Sequence, residues 1–112
     1  MDQILINLIS ELRRGTQIMF VLNSLKKQQY GYSLLSDLES KGIIIEAGTL
    51  YPLLRRLDEQ GLLTSNWDTS ESRPRKYYIL SDHGITVLNE LKKEWKKITE
   101  ELSILYQGDK NE

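Results

Sequence analysis

The 112-residue sequence contains no cysteine and a single histidine, His83. The first absence excludes disulfides and cysteine-ligated zinc; the second argues strongly against a histidine-based metal site or a Ser-His-Asp triad. No apolar run approaches the ~18 residues of a membrane span, and the chain opens on Asp2 rather than on a basic signal-peptide start. These absences predict a cytoplasmic protein with no membrane partner, no cofactor and no enzymatic chemistry. The net charge of −1 also argues against indiscriminate nucleic-acid binding, so any such role must lie in how the charge is distributed.

Apolar residues at 39% and charged residues at 28% describe an ordinary globular chain, long enough for one modest core. Bases gather at Arg55–Arg56 and at Arg73, Arg75 and Lys76. Acids gather near the C-terminal end, at Glu90, Glu94, Glu100, Glu101, Asp109 and Glu112. One basic face on a nearly neutral body is the expected result.

The stretch from Glu46 to Gly61 organises the rest. Leu50, Leu53, Leu54 and Leu57 fall at i, i+3, i+4 and i+7, one apolar stripe of a helix. The opposite face presents Gly48, Pro52, Arg55 and Glu59, flanked by Thr49, Tyr51 and Arg56. Bases ahead of acids oppose the usual helix-dipole preference and suit a helix whose first turns meet DNA phosphates and base edges.

In chain order, Asp2 to Arg14 reads as a helix stopped by Gly15, and Thr16 caps a second helix that closes at Lys26–Lys27. Tyr30-Gly31-Tyr32 is a break, and Ser33 caps a short third helix ended by Gly42. Ile43 to Ile45 is extended. Leu62–Trp67 and Lys76–Leu80 form a hairpin whose polar loop, Asp68 to Pro74, projects, with Trp67 expected to pack. Ser81 or Asp82 starts a last helix to about Tyr106, where Leu88, Leu91, Trp95, Ile98, Leu102 and Leu105 are spaced 3, 4, 3, 4, 3 as a heptad seam. His83 falls at that helix start.

The expected fold is mainly α with a small β-hairpin: a winged helix-turn-helix over residues 1–81, a dimerisation helix over 82–107 and a frayed tail over 108–112. The Glu46–Gly61 helix enters a major groove through Gly48, Thr49, Tyr51, Pro52, Arg55 and Arg56. Arg73, Arg75 and Lys76 of the wing reach the backbone or the adjacent minor groove. A homodimer formed through Leu5, Leu8, Leu88, Leu91, Trp95, Ile98, Leu102 and Leu105 reads a pseudo-palindromic operator in double-stranded DNA. Trp95, bulky for a tight two-stranded seam, is expected to hold the helices apart and leave a cavity between them. A winged-helix module that recruits a protein partner, without ligand response, is the alternative.

Gly31-Tyr32, the run Gly48-Thr49-Leu50-Tyr51-Pro52-Leu53-Leu54-Arg55-Arg56-Leu57, Gly61-Leu62-Leu63 and Arg73-Pro74-Arg75-Lys76-Tyr77-Tyr78 together resemble the PadR family of bacterial transcriptional regulators. The likeness spans roughly residues 12 to 106 and is similar to the short subfamily with a single C-terminal helix. It implies a winged-helix homodimer, usually a repressor, released from its operator by a small, often aromatic ligand, with a tryptophan at the place of Trp95 stacking planar drugs. Glu46 where a Ser-like cap is common, Glu71-Ser72 where glycines are common, and Ile79 in place of an arginine depart from the pattern.

Overall fold

The computed structural model describes residues 2–108. Helix α1 runs Gln3–Ser24, strand β1 Gln29–Tyr30, helix α2 Gly31–Ser40 and helix α3 Ala47–Glu59. Strands β2 (Leu63–Asp68) and β3 (Arg75–Leu80) follow, and helix α4 (Asp82–Gln107) closes the chain. Strand β3 is central in a three-stranded antiparallel sheet of order β1-β3-β2. This is the mainly helical winged fold that the patterning predicts, with the hairpin paired from Leu63↔Leu80 to Asp68↔Arg75.

Four local readings are corrected. Gly15 does not end a helix: α1 passes through it unbroken, and a Cβ there would meet nothing within 4 Å. Mid-helix glycine costs only about 1 kcal/mol, too little to stop a helix whose apolar pattern continues on both sides. Thr16 therefore caps nothing; its hydroxyl donates to the Arg13 carbonyl at 2.8 Å, a bond made within a continuing helix. Helix α2 is capped by Tyr30 rather than Ser33, which sits in the first turn, donating to the Tyr30 carbonyl at 2.8 Å and accepting from the Tyr30 N–H at 3.2 Å. The expected break at Tyr30 is partly a strand, since Gln29 and Tyr30 pair with Tyr78 and Tyr77.

The core joins α1 (Val21, Leu22) and its C-cap Leu25, α2 (Leu34, Leu38), all four leucines of the α3 stripe and Leu62, Leu63, Tyr78 and Leu80 of the wing. Gln29, the buried polar residue, donates its side-chain amide to the Ser24 carbonyl at 2.9 Å. Gly42 adopts φ +79° and ends α2 with Ile43 N–H returning to the Leu38 carbonyl, as expected of a glycine stop. Of the Ile43–Ile45 run, Ile45 is buried and Ile44 exposed, without strand pairing.

Leu88 joins this core at 1% exposure. It has no surface to give a second chain, so its expected place in a dimer seam is corrected: the first heptad turn of α4 packs within its own chain. Beyond it α4 emerges, and the apolar side chains of its later turns face outward beside the equally bare first half of α1. Trp95, Ile98, Leu102 and Leu105 are exposed, as are Leu5 and Leu8, while Leu91 packs half-buried against the core. Of the expected tail over 108–112, Gly108 is the C-cap of α4 and residues 109–112 lie outside the described residues.

Candidate nucleic-acid interface

Helix α3 is seated by its leucines, and everything on its other side is open. Glu46 stands at the N-cap with extended backbone and makes no side-chain capping bond, so its carboxylate stays exposed at the helix entry. Gly48, Thr49, Tyr51, Pro52, Arg55 and Arg56 are all exposed. A Cβ on Gly48 would meet nothing within 4 Å, so its smallness serves no contact inside the protein. Pro52 lies inside the helix and lacks the N–H that would bond to the Gly48 carbonyl, leaving that acceptor on the open face.

The two flanks of α3 are built differently. On one flank the Tyr51 ring lies so close to Gly31 that a Cβ on Gly31 would fall 2.4 Å from the ring. Further along this flank, the Asp58 carboxylate accepts from the Ser65 hydroxyl of β2 at 2.8 Å and pairs with Lys76 of β3 at 3.4 Å. Tyr78, buried between them, has its phenol pushed above the ordinary 10.0, first by burial, with Asp58 adding to the rise and Lys76 and Arg55 opposing it. On the other flank Thr49, Pro52, Leu53 and Arg56 face α1 across a groove.

The wing separates its basic residues. Lys76 turns toward α3, where besides Asp58 it lies 5.5 Å from the Tyr78 ring centre and 6.0 Å from that of Trp67. It therefore anchors wing to helix rather than standing free. Arg75 points to the other sheet face, 4.6 Å over the Tyr30 ring, which itself meets Tyr77 edge-on at 5.3 Å. The neighbouring Tyr77 side chain, foremost, raises the Arg75 pKa above its ordinary value, and the Tyr30 ring under the guanidinium fixes its place. Arg73 is exposed beside Asp68 and Glu71 at the wing tip. There the Ser70 N–H donates to Asp68 at 2.9 Å, and Ser70 is the main reason the Asp68 carboxyl titrates below its usual value. Trp67, expected to pack, is instead 62% exposed, opposite Lys76 on the sheet face that turns toward α3 but beyond the reach of the core.

A second feature lies away from α3. Between α1 and α4 a pocket of about 610 Å³ is lined by Met19, Phe20, Leu38, Leu88, Trp95 and Leu102, with Arg13, Lys41 and Lys92 also in its lining. The like-charged Lys26 amine beside it lowers the Lys92 pKa. Among the described residues no cluster of His, Asp or Glu could hold a metal ion, and no helix is long and apolar enough to cross a membrane.

Sequence reasoning missed the Asp58–Lys76–Ser65 link and the seat that Gly31 gives Tyr51. Neither leaves a local signal, because each joins positions that only the fold brings together.

Residues 21–90 match the model of the transcriptional regulator PadR-like family. The chain is 48% identical to a PadR family transcriptional regulator from Eggerthella lenta, with 94% of each chain covered and a TM-score of 0.88. A PadR-like transcription factor from Bacteroides fragilis is 35% identical over 88% of this chain and 98% of its own, with a TM-score of 0.77. A transcriptional regulator of Mycobacterium tuberculosis is 27% identical over 80% of this chain and 84% of its own length. With an exposed helix face carrying Arg55 and Arg56 beside a wing and the family match over most of its length, the chain belongs to the PadR-like family of DNA-binding transcriptional regulators.

Proposed function

We propose that the protein is a cytoplasmic, homodimeric repressor that reads a pseudo-palindromic operator and is released from it by a small aromatic ligand. The observation that carries the reading is the open face of α3, with Tyr51 and Arg55 beside a braced wing that holds Arg75 in place. In this reading Arg55 and Arg56 reach base edges and phosphates, Tyr51 reaches a phosphate through its hydroxyl, and Arg73 and Arg75 hold the flanking backbone. Gly48, Thr49 and Pro52 line the approach. Lys76, paired with Asp58, contributes by fixing the wing.

The dimer follows from the apolar surface. Leu5 and Leu8 of α1 and Trp95, Ile98, Leu102 and Leu105 of α4 leave an apolar face that isolated chains seldom expose, and a second copy covers it, with Leu91 at its edge. Sedimentation equilibrium is expected to give twice the chain mass, and a Leu102→Glu variant the single mass. A wild-type monomer would contradict the dimer.

Gly31→Ala tests the Tyr51 contact. Its Cβ would displace the exposed ring, so DNA affinity is expected to fall several-fold with little change in urea midpoint. The substitution should add nothing further in a Tyr51→Phe background, because both act through one hydroxyl. Additive losses would place the effect elsewhere.

Trp95 lines the α1–α4 pocket and carries the ligand reading. In a Trp67→Phe background it is the sole tryptophan. Titration with aromatic acids, amines and phenols is expected to find a compound that quenches its fluorescence and dissociates bound operator. Release requires that compound to bind the DNA-free arrangement more tightly. Quenching that leaves DNA affinity untouched would show that the pocket does not switch DNA binding.

A further inference from the structure

We infer that the groove between α1 and α3 is a second seat for the DNA sugar-phosphate backbone, with Arg13 and Arg14 of α1 as its added cations. The inference rests on the reading of α3 as the DNA-reading helix. A helix in the major groove has a phosphate backbone on each side of it, because the groove is only about 12 Å wide. The wing accounts for one side. On the other, Thr49, Pro52 and Arg56 face a groove of about 960 Å³ whose far wall is α1, with Ser10, Arg13, Arg14 and Gln17.

The charge of this groove suits a polyanion. Three guanidiniums (Arg13, Arg14, Arg56) stand against one carboxylate, Glu11, a local balance of +2 in a chain whose net charge is −1. Among the described residues none of the three arginines is in an ion pair, in contrast to Lys76 on the opposite flank. Ser10, Thr49 and Gln17 add neutral donors that can bond phosphate oxygens. As the closing turn of a short helix, Arg13 and Arg14 would only complement a dipole. The continuous α1 instead places them mid-helix, alongside the flank of α3 that the wing does not reach.

The test uses the full chain and a fluorescein-labelled site recovered by selection from random DNA, with anisotropy read from about 50 to about 200 mM KCl. The salt slope is expected to fall by about one unit in Arg14→Ala and by about two in the Arg13→Ala/Arg14→Ala double variant, equally for selected and scrambled DNA. Arg14→Lys should restore most of the slope, since a point charge suffices for a phosphate. Sedimentation should show the oligomeric state unchanged. A wild-type slope in the double variant overturns the inference while leaving the reading of α3 intact. A double variant that changes its oligomeric state overturns it too, assigning the groove to a second copy of the chain. No salt-sensitive complex with wild-type protein overturns both.

Discussion

Replacing Gly84 with alanine is expected to destabilise the protein by about 3 kcal/mol, the upper end of what overpacking a tight site costs. Gly84 lies in the first turn of α4, and a Cβ there would stand 2.0 Å from the Leu62 carbonyl oxygen. That oxygen is backbone and already accepts the Ser81 N–H at 3.0 Å. Ser81 is fixed in turn: its hydroxyl donates to the Gly61 carbonyl at 2.7 Å and accepts from the Gly84 N–H at 3.0 Å. No flexible side chain can give way, so α4 must lift from the end of α3 and the start of the wing. Urea unfolding at one fixed protein concentration reads the loss as a lower midpoint with unchanged slope. Gly48→Ala is the matched control. Its Cβ meets nothing, and alanine in a helix is favoured by up to about 1 kcal/mol, so its stability should hold or rise. A Gly84→Ala protein within about 0.5 kcal/mol of wild type, the scatter of ordinary surface changes, would show that this junction is not as close as described.

Arg55→Ala is expected to weaken operator binding by about 1–3 kcal/mol, roughly 5- to 150-fold, and to relax the sequence preference at one position of each half-site. Arg55 is exposed on the open face of α3, next to the flank that carries Tyr51, and among the described residues it is in no ion pair. Its guanidinium fork can take two acceptors of one base edge; an ammonium cannot, so Arg55→Lys should recover little. Arg75→Ala should behave differently, weakening all sequences alike and lowering the salt slope by about one unit, with much of it restored by Arg75→Lys. Anisotropy against the selected site and single-base variants separates the two patterns. Equal loss on every sequence from Arg55→Ala would make it a phosphate contact and move base reading to another side chain.

The parts legible in the sequence are those whose signal is local. The α3 stripe is read from four leucines, the wing from two apolar and aromatic runs around a polar loop, and the start of α4 from Ser81, which does accept from the Gly84 N–H. Strand β1 is not legible, because two residues carry no period of their own and Gln29–Tyr30 is a strand only by pairing with Tyr77 and Tyr78. The heptad seam is legible as apolar, but spacing alone cannot separate burial within a chain from burial between chains. Leu88 and Trp95 share one seam and meet different fates. Charge is the subtler case. Arg75 and Lys76 are adjacent in the sequence, yet the pleat of β3 sends them to opposite faces, one held over Tyr30 and the other tied to Asp58.

In the proposed reading, α3 and its wing grip DNA together. This is tested most directly by the salt dependence of operator binding for a protein carrying Arg55, Arg56, Arg73 and Arg75 all changed to alanine. These exposed side chains lie outside the core, and the contact of Arg75 with Tyr30 is a surface one, so the urea midpoint should move little. The salt slope of the variant is expected to be lower by about three units, with no specific complex near physiological salt. Wild-type affinity and slope in that variant would contradict this reading.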